Sequence, residues 1–153
     1  MTKSNKTPFK GRTASRLAAV QALFQIEQTG ASANTVVLEF LELRLNKKEK
    51  GVPKADTTFF AKLVEGAWSQ QEKSDEILSG ALKAGWSLDR IESVTRAILR
   101  AALYEIIETK TPPAVIIDEY LNITRNFFDD SEVSFVNGVL NTIAQRLRPK
   151  TNT

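Results

Sequence analysis

The 153-residue sequence contains no cysteine and no histidine. The first absence removes disulfide scaffolds and thiolate nucleophiles. The second removes the commonest general base, and together they remove the usual zinc sites. No apolar run reaches the length a membrane helix needs, and the first residues are polar and basic without an apolar signal core. A cytoplasmic chain with no membrane association is therefore expected. A carboxylate-only active site is the catalytic possibility left. However, the 18 aspartates and glutamates are spread along helical surfaces with no catalytic motif around them. The expectation is a non-enzyme with no metal and no cofactor.

What is present is an ordinary globular composition, 42% apolar and 25% charged, with enough length for one domain and a real core. The net charge is only +3, but it is unevenly placed. Lys3, Lys6, Lys10, Arg12 and Arg16 give residues 1–16 five cations and no acid, and Arg146, Arg148 and Lys150 add three at the other end. Residues 17–145 hold 13 basic and 18 acidic side chains, a formal −5. An acidic body with basic ends offers an anionic partner a focused patch, although basic ends also serve solubility alone.

The apolar residues recur at helical spacing, and strand-like alternation persists nowhere. Leu17, Val20 and Phe24 form one row of a first helix beginning near Thr13 or Ser15 and ending near Gln28, with Ala19, Leu23 and Ile26 beside it. Gly30 stops it and Ser32 caps a second helix through about Leu45. Residues 46–55, with Gly51 and Pro53, read as a surface loop. Asp56 caps the next helical stretch, which either continues through Leu82 or breaks near Lys73. Asp89 is a candidate cap for a helix over 90–108. Pro112 and Pro113 begin another, which carries Ile117, Tyr120, Leu121, Thr124 and Phe128 on one face. Val136, Val139, Leu140, Ile143 and Leu147 form the stripe of the last helix. Gly138, mid-helix, costs about 1 kcal/mol relative to alanine, so it is assigned to packing at a close helix crossing. The fold class is all-α, a bundle of six or seven helices. Residues 12–149 form its single domain, between a flexible basic tail over 1–11 and a disordered tail over 150–153.

Three segments are more particular than helix filler: ASRLAAVQALF over 14–24, RAILRAALYEI over 96–106 and FVNGVL over 135–140. Together they resemble the NusB family of bacterial transcription antitermination factors, over most of the chain and most weakly over residues 30–60. The resemblance implies a NusB-like RNA-binding domain. It would hold the boxA element of nascent ribosomal RNA together with NusE, a small-subunit ribosomal protein, with NusA, NusG and RNA polymerase in the wider complex.

The resemblance also implies roles for particular residues. Lys10, Arg12 and Arg16 match the start of the family's RNA surface, although Thr13, Ala14 and Ser15 stand where arginines are often denser. Arg12 and Arg16 are helix-face neighbours, so phosphate contact is physically sensible, and a solvated helix start is the plain alternative. Phe135 lies about 90–100° from the centre of its helix's core stripe. There it either caps the core or stacks an unpaired base, and the resemblance favours the base. Phe127, further from its core stripe than Phe128, is the second candidate ring. Ser131, in the turn Asp129 to Glu132, either sits near RNA or caps the last helix. Ser134 stands where the family often has lysine. Asp89, Arg90, Glu92 and Arg96 match the NusE-docking face, with Thr95 where the family often has an acid and Phe24 in place of a frequent tyrosine, and helix capping with ordinary surface charge is the alternative for them. Two other readings stay open. One is a protein-binding helical adaptor without RNA. The other is a NusB-like domain serving a ribosomal RNA methyltransferase, although the sequence has no glycine-rich strand-to-helix loop for a methyl donor.

Overall fold

A computed structural model of the chain describes residues 3–45 and 54–149, with side chains from Gly11 onward. The expected loop over 46–55 and tail over 150–153 fall largely outside the described residues. Among these are seven α-helices: α1 Lys3–Thr29, α2 Ala33–Leu43, α3 Thr57–Ser69, α4 Gln71–Ala81, α5 Ser93–Glu108, α6 Pro113–Phe127 and α7 Asp130–Leu147, with one 3-10 turn at Leu88–Arg90. The all-α expectation holds.

The element at the centre is α5. Every residue from Ala97 to Ile106 is buried, so this helix has no solvent face through that stretch, and the two charges within it, Arg100 and Glu105, are each paired with an opposite charge from another helix. One group, α1, α2 and α3, packs mutually on one side; α6 and α7 pack on the other, and α4 touches α3, α5 and α7. Tyr120 and Phe60 are among the largest fully buried side chains. Phe60 stacks with Phe40 at 5.7 Å between centroids, joining α3 to α2.

Local chemistry explains most of the boundaries. Ser32 accepts from the Thr35 N–H and Asp56 from the Phe59 N–H, as expected of caps. Pro113 occupies the first turn of α6, and Gly30 takes a φ of 76° after α1. Four expectations change. Helix α1 begins at Lys3, ahead of Thr13, because the apolar stripe marks where a helix starts to bury surface and not where its hydrogen bonds begin. Residues 57–84 hold two helices broken at Gln70 rather than at Lys73. Asp89 caps no long helix; it lies in the 3-10 turn, and α5 starts after Glu92 without a side-chain cap. Asp129, not Ser131, caps α7 by accepting from the N–H groups of Ser131 and Glu132.

The close helix crossing is also elsewhere. A Cβ at Gly138 would meet open space, whereas one at Gly66 would sit 2.3 Å from the Tyr104 ring. The glycine needed for packing is therefore Gly66, where α3 crosses α5.

Candidate nucleic-acid interface

The two α1 arginines have different surroundings. Arg12 is exposed, its guanidinium 4.7 Å from the centroid of Phe59 and its Nε 3.9 Å from Asp56. Arg16 is 5% exposed. Its Nε and Nη2 donate to the two Glu105 oxygens at 2.7 and 2.9 Å, and Nη1 lies 3.4 Å from Glu119. The Tyr120 hydroxyl donates to the same Glu105 carboxylate at 2.6 Å. Burial alone would weaken the Arg16 charge, but the Glu105 hydrogen bonds and field outweigh it and hold the proton more tightly than usual. Burial, then the adjacent carboxylate, pushes the Tyr120 hydroxyl well above its ordinary value. Expected at a phosphate, Arg16 is instead occupied inside the protein, clamping α1 to α5 and α6. The Lys10 side chain lies outside the described residues.

The start of α7 presents the second group. Ser131 and Ser134 are exposed, and the Ser131 hydroxyl donates to Asp129 at 2.9 Å. Phe135 is half-buried, with its ring 6.2 Å from that of Trp86 and tilted 40° to it. Trp86 and Phe135, with Arg90, Ile91, Glu92 and Glu132, border a cleft of about 360 Å³. Sequence reading missed Trp86; its one signal was a large aromatic beside glycine in a stretch with no helical stripe. Phe127 is 42% exposed, as its place off the core stripe predicted. It borders a different groove, between α1, α2 and the start of α5, shared with Phe24, Phe40 and Val94. The two expected stacking rings thus open onto separate depressions, and Phe127 lies beside Phe24, a residue matched to protein docking.

The remaining docking candidates divide by burial. Asp89, Arg90 and Glu92 are exposed. A hydrogen bond from Ser87 holds the Asp89 carboxyl below its usual range. Thr95 is fully buried and donates to Glu132 at 2.6 Å, joining α5 to α7. Arg96 donates to both oxygens of Glu27 at 2.8 and 3.1 Å and to the carbonyls of Leu88 and Ile91. Arg100, not singled out from sequence, is buried; it pairs with Glu27 at 2.9 Å and with Asp75 at 3.0 and 2.9 Å. Thr95 and Arg96 thus have internal partners that spacing along one helix did not reveal. Burial pushes the Glu27 carboxyl up, but hydrogen bonds from Arg96 and Arg100 more than offset it, leaving it below the usual range.

Glu27, Asp75 and Glu105 are engaged by arginines, and among the described residues no cluster of three or more acids is placed to hold a metal ion. The accessible chemistry is that of a binding surface: an exposed arginine on α1, an aromatic cleft at α7 and a second apolar groove at α1.

Residues 13–145 match the model of the NusB family. The transcription antitermination protein NusB of Caulobacter vibrioides is 41% identical over 140 residues, covering 90% of this chain and 94% of its own. The solved NusB of T. maritima superposes with a TM-score of 0.76 at 29% identity, over 90% of this chain and 93% of that one. A crystal structure of the antitermination factors NusB and NusE in complex with double-stranded RNA matches with a TM-score of 0.74 at 25% identity, over 88% of this chain and 96% of that one.

Proposed function

The chain belongs to the NusB family, and we propose that it works as a non-catalytic, RNA-binding transcription antitermination factor in the cytoplasm. The observation that carries this reading is the near end-to-end match to a curated antitermination protein at 41% identity. The family's complex with NusE and RNA supports both classes of partner. The RNA is the boxA element of nascent ribosomal RNA, held jointly with NusE, and the complex keeps RNA polymerase elongating with NusA and NusG.

Residue roles follow from accessibility. Lys10 and Arg12 position phosphates without reading sequence. Phe135 stacks an unpaired base, and Ser131 and Ser134 offer hydroxyls beside it. Arg16 acts indirectly, by fixing the helix from which Arg12 projects. NusE docks through exposed Asp89, Arg90 and Glu92 and through the groove holding Phe24 and Phe127, while Thr95 and Arg96 shape that face from within.

Fluorescence anisotropy of labelled boxA RNA against a scrambled RNA, at one moderate salt concentration with and without purified NusE, tests the reading. Preferential boxA binding that NusE strengthens is the expected result. Absence of preference in both conditions overturns the RNA role and favours a protein-binding adaptor.

A further inference from the structure

We propose that Trp86 is a nucleobase-stacking residue and that Glu132 makes its cleft select an unpaired base bearing an amino group over uracil. This rests on the RNA-binding reading above and adds a residue and a selectivity to it.

Trp86 is 55% exposed, yet its segment is held on several sides. Gly85 turns the chain at a φ of 90°, and its carbonyl accepts from Arg90 at 3.3 Å. The Trp86 N–H donates to the Lys83 carbonyl at 3.1 Å. Arg96, anchored on Glu27, holds the carbonyls of Leu88 and Ile91 that follow. A large ring presented by a braced loop loses little freedom on binding, which favours a flat ligand on its outer face. The Phe135 ring lies 6.2 Å from the Trp86 ring, tilted 40° to it.

The polar rim supplies the selectivity. Glu132 borders the cleft, and the buried Thr95 hydroxyl donates to its Oε2 at 2.6 Å, which orients the group. A carboxylate only accepts hydrogen bonds. The exocyclic amines of cytosine, adenine and guanine can donate to it, whereas the uracil edge is mostly carbonyl. The cleft volume of about 360 Å³ suits a small planar group.

The test compares the whole protein with Trp86→Ala, Trp86→Phe and Glu132→Gln, titrated with labelled oligo(C), oligo(A) and oligo(U) RNA over a range of salt. Trp86→Ala should bind oligo(C) and oligo(A) about tenfold more weakly, with an unchanged salt slope because no phosphate contact is lost. Trp86→Phe should recover most of that loss, and Glu132→Gln should flatten the preference over oligo(U). RNA should quench tryptophan emission in the native protein and not in Trp86→Phe, where Trp68 is the remaining tryptophan. Native-like affinity of Trp86→Ala for all three RNAs overturns the proposal and leaves the RNA reading standing. So does a Trp86→Ala defect seen only in NusE binding, which would make the cleft a protein site. An unaltered preference in Glu132→Gln removes the selectivity. Absence of RNA binding by the native protein at low salt, with or without NusE, overturns both readings.

Discussion

Arg16 and Glu105, 89 residues apart in sequence, meet in a two-point ion pair whose side chains are 6% and 0% exposed. The pair joins α1 to the central helix, and Tyr120 completes it from α6. Its geometry satisfies the fork of the guanidinium, which lysine cannot reproduce.

Breaking that pair should cost far more than removing a surface arginine. Arg16→Ala leaves a buried carboxylate with one neutral donor, so urea denaturation should show a loss of about 3–5 kcal/mol. Arg16→Lys should also be clearly destabilised. Arg12→Ala, exposed, should stay within about 0.5 kcal/mol of the native protein while weakening RNA binding.

The two glycines should respond in opposite directions. Gly66→Ala places a methyl 2.3 Å from the Tyr104 ring and should lose about 1–3 kcal/mol through overpacking. Gly138→Ala adds a methyl in open space and should gain about 0.5–1 kcal/mol. Thermal melts of both variants, read together, check the placement of the helix crossing.

Acid sensitivity should centre on Glu27. Its folded pKa is depressed below the ordinary value of 4.5, so its contribution is present above pH 4.5 and disappears as pH falls through the folded value. At neutral pH Glu27→Gln should be less stable by about 2 kcal/mol, the loss of charged hydrogen bonds to Arg96 and Arg100. The difference between the two proteins should close below pH 4.5 in matched melts.

The alkaline limb should depend on Tyr120. Its folded pKa is raised above the ordinary value of 10.0. Its contribution is therefore complete below pH 10 and is lost as the pH rises towards the folded value, because only the unfolded chain releases the proton easily. Tyr120→Phe should show a shallower loss of stability than the native protein above pH 10.

Asp129→Ala should lower the melting temperature more than Ser131→Ala does, since Asp129 accepts from both N–H groups at the start of α7. Equal effects would return the cap to Ser131.

The helices and most of their punctuation were legible because each depends on neighbours within a few residues, whereas the central position of α5 was not, because burial of Arg100 and Glu105 inside it depends on partners from other helices. Periodicity marks a buried face, a proline marks a first turn, and Ser32 or Asp56 reaches an N–H only three residues away. Gln70 escaped notice because no glycine or proline marks the break between α3 and α4. Family motifs drew attention to Phe135 but not to Trp86, whose ring lies 6.2 Å from it. The α1 charge pattern was equally visible, but it does not distinguish Arg12 from Arg16.

Linear order thus determined the secondary structure, the all-α class and the family, since local hydrogen bonding and apolar spacing act over one or two turns. Tertiary structure alone decided which charged groups are available to a partner. Glu105 captures Arg16, Glu27 captures Arg96 and Arg100, and Glu132 accepts from Thr95, because a buried charge or hydroxyl must find a hydrogen-bonding partner wherever the packed helices bring one. The same packing set Trp86 against Phe135 across nearly fifty residues and so made a cleft that neither segment announces by itself.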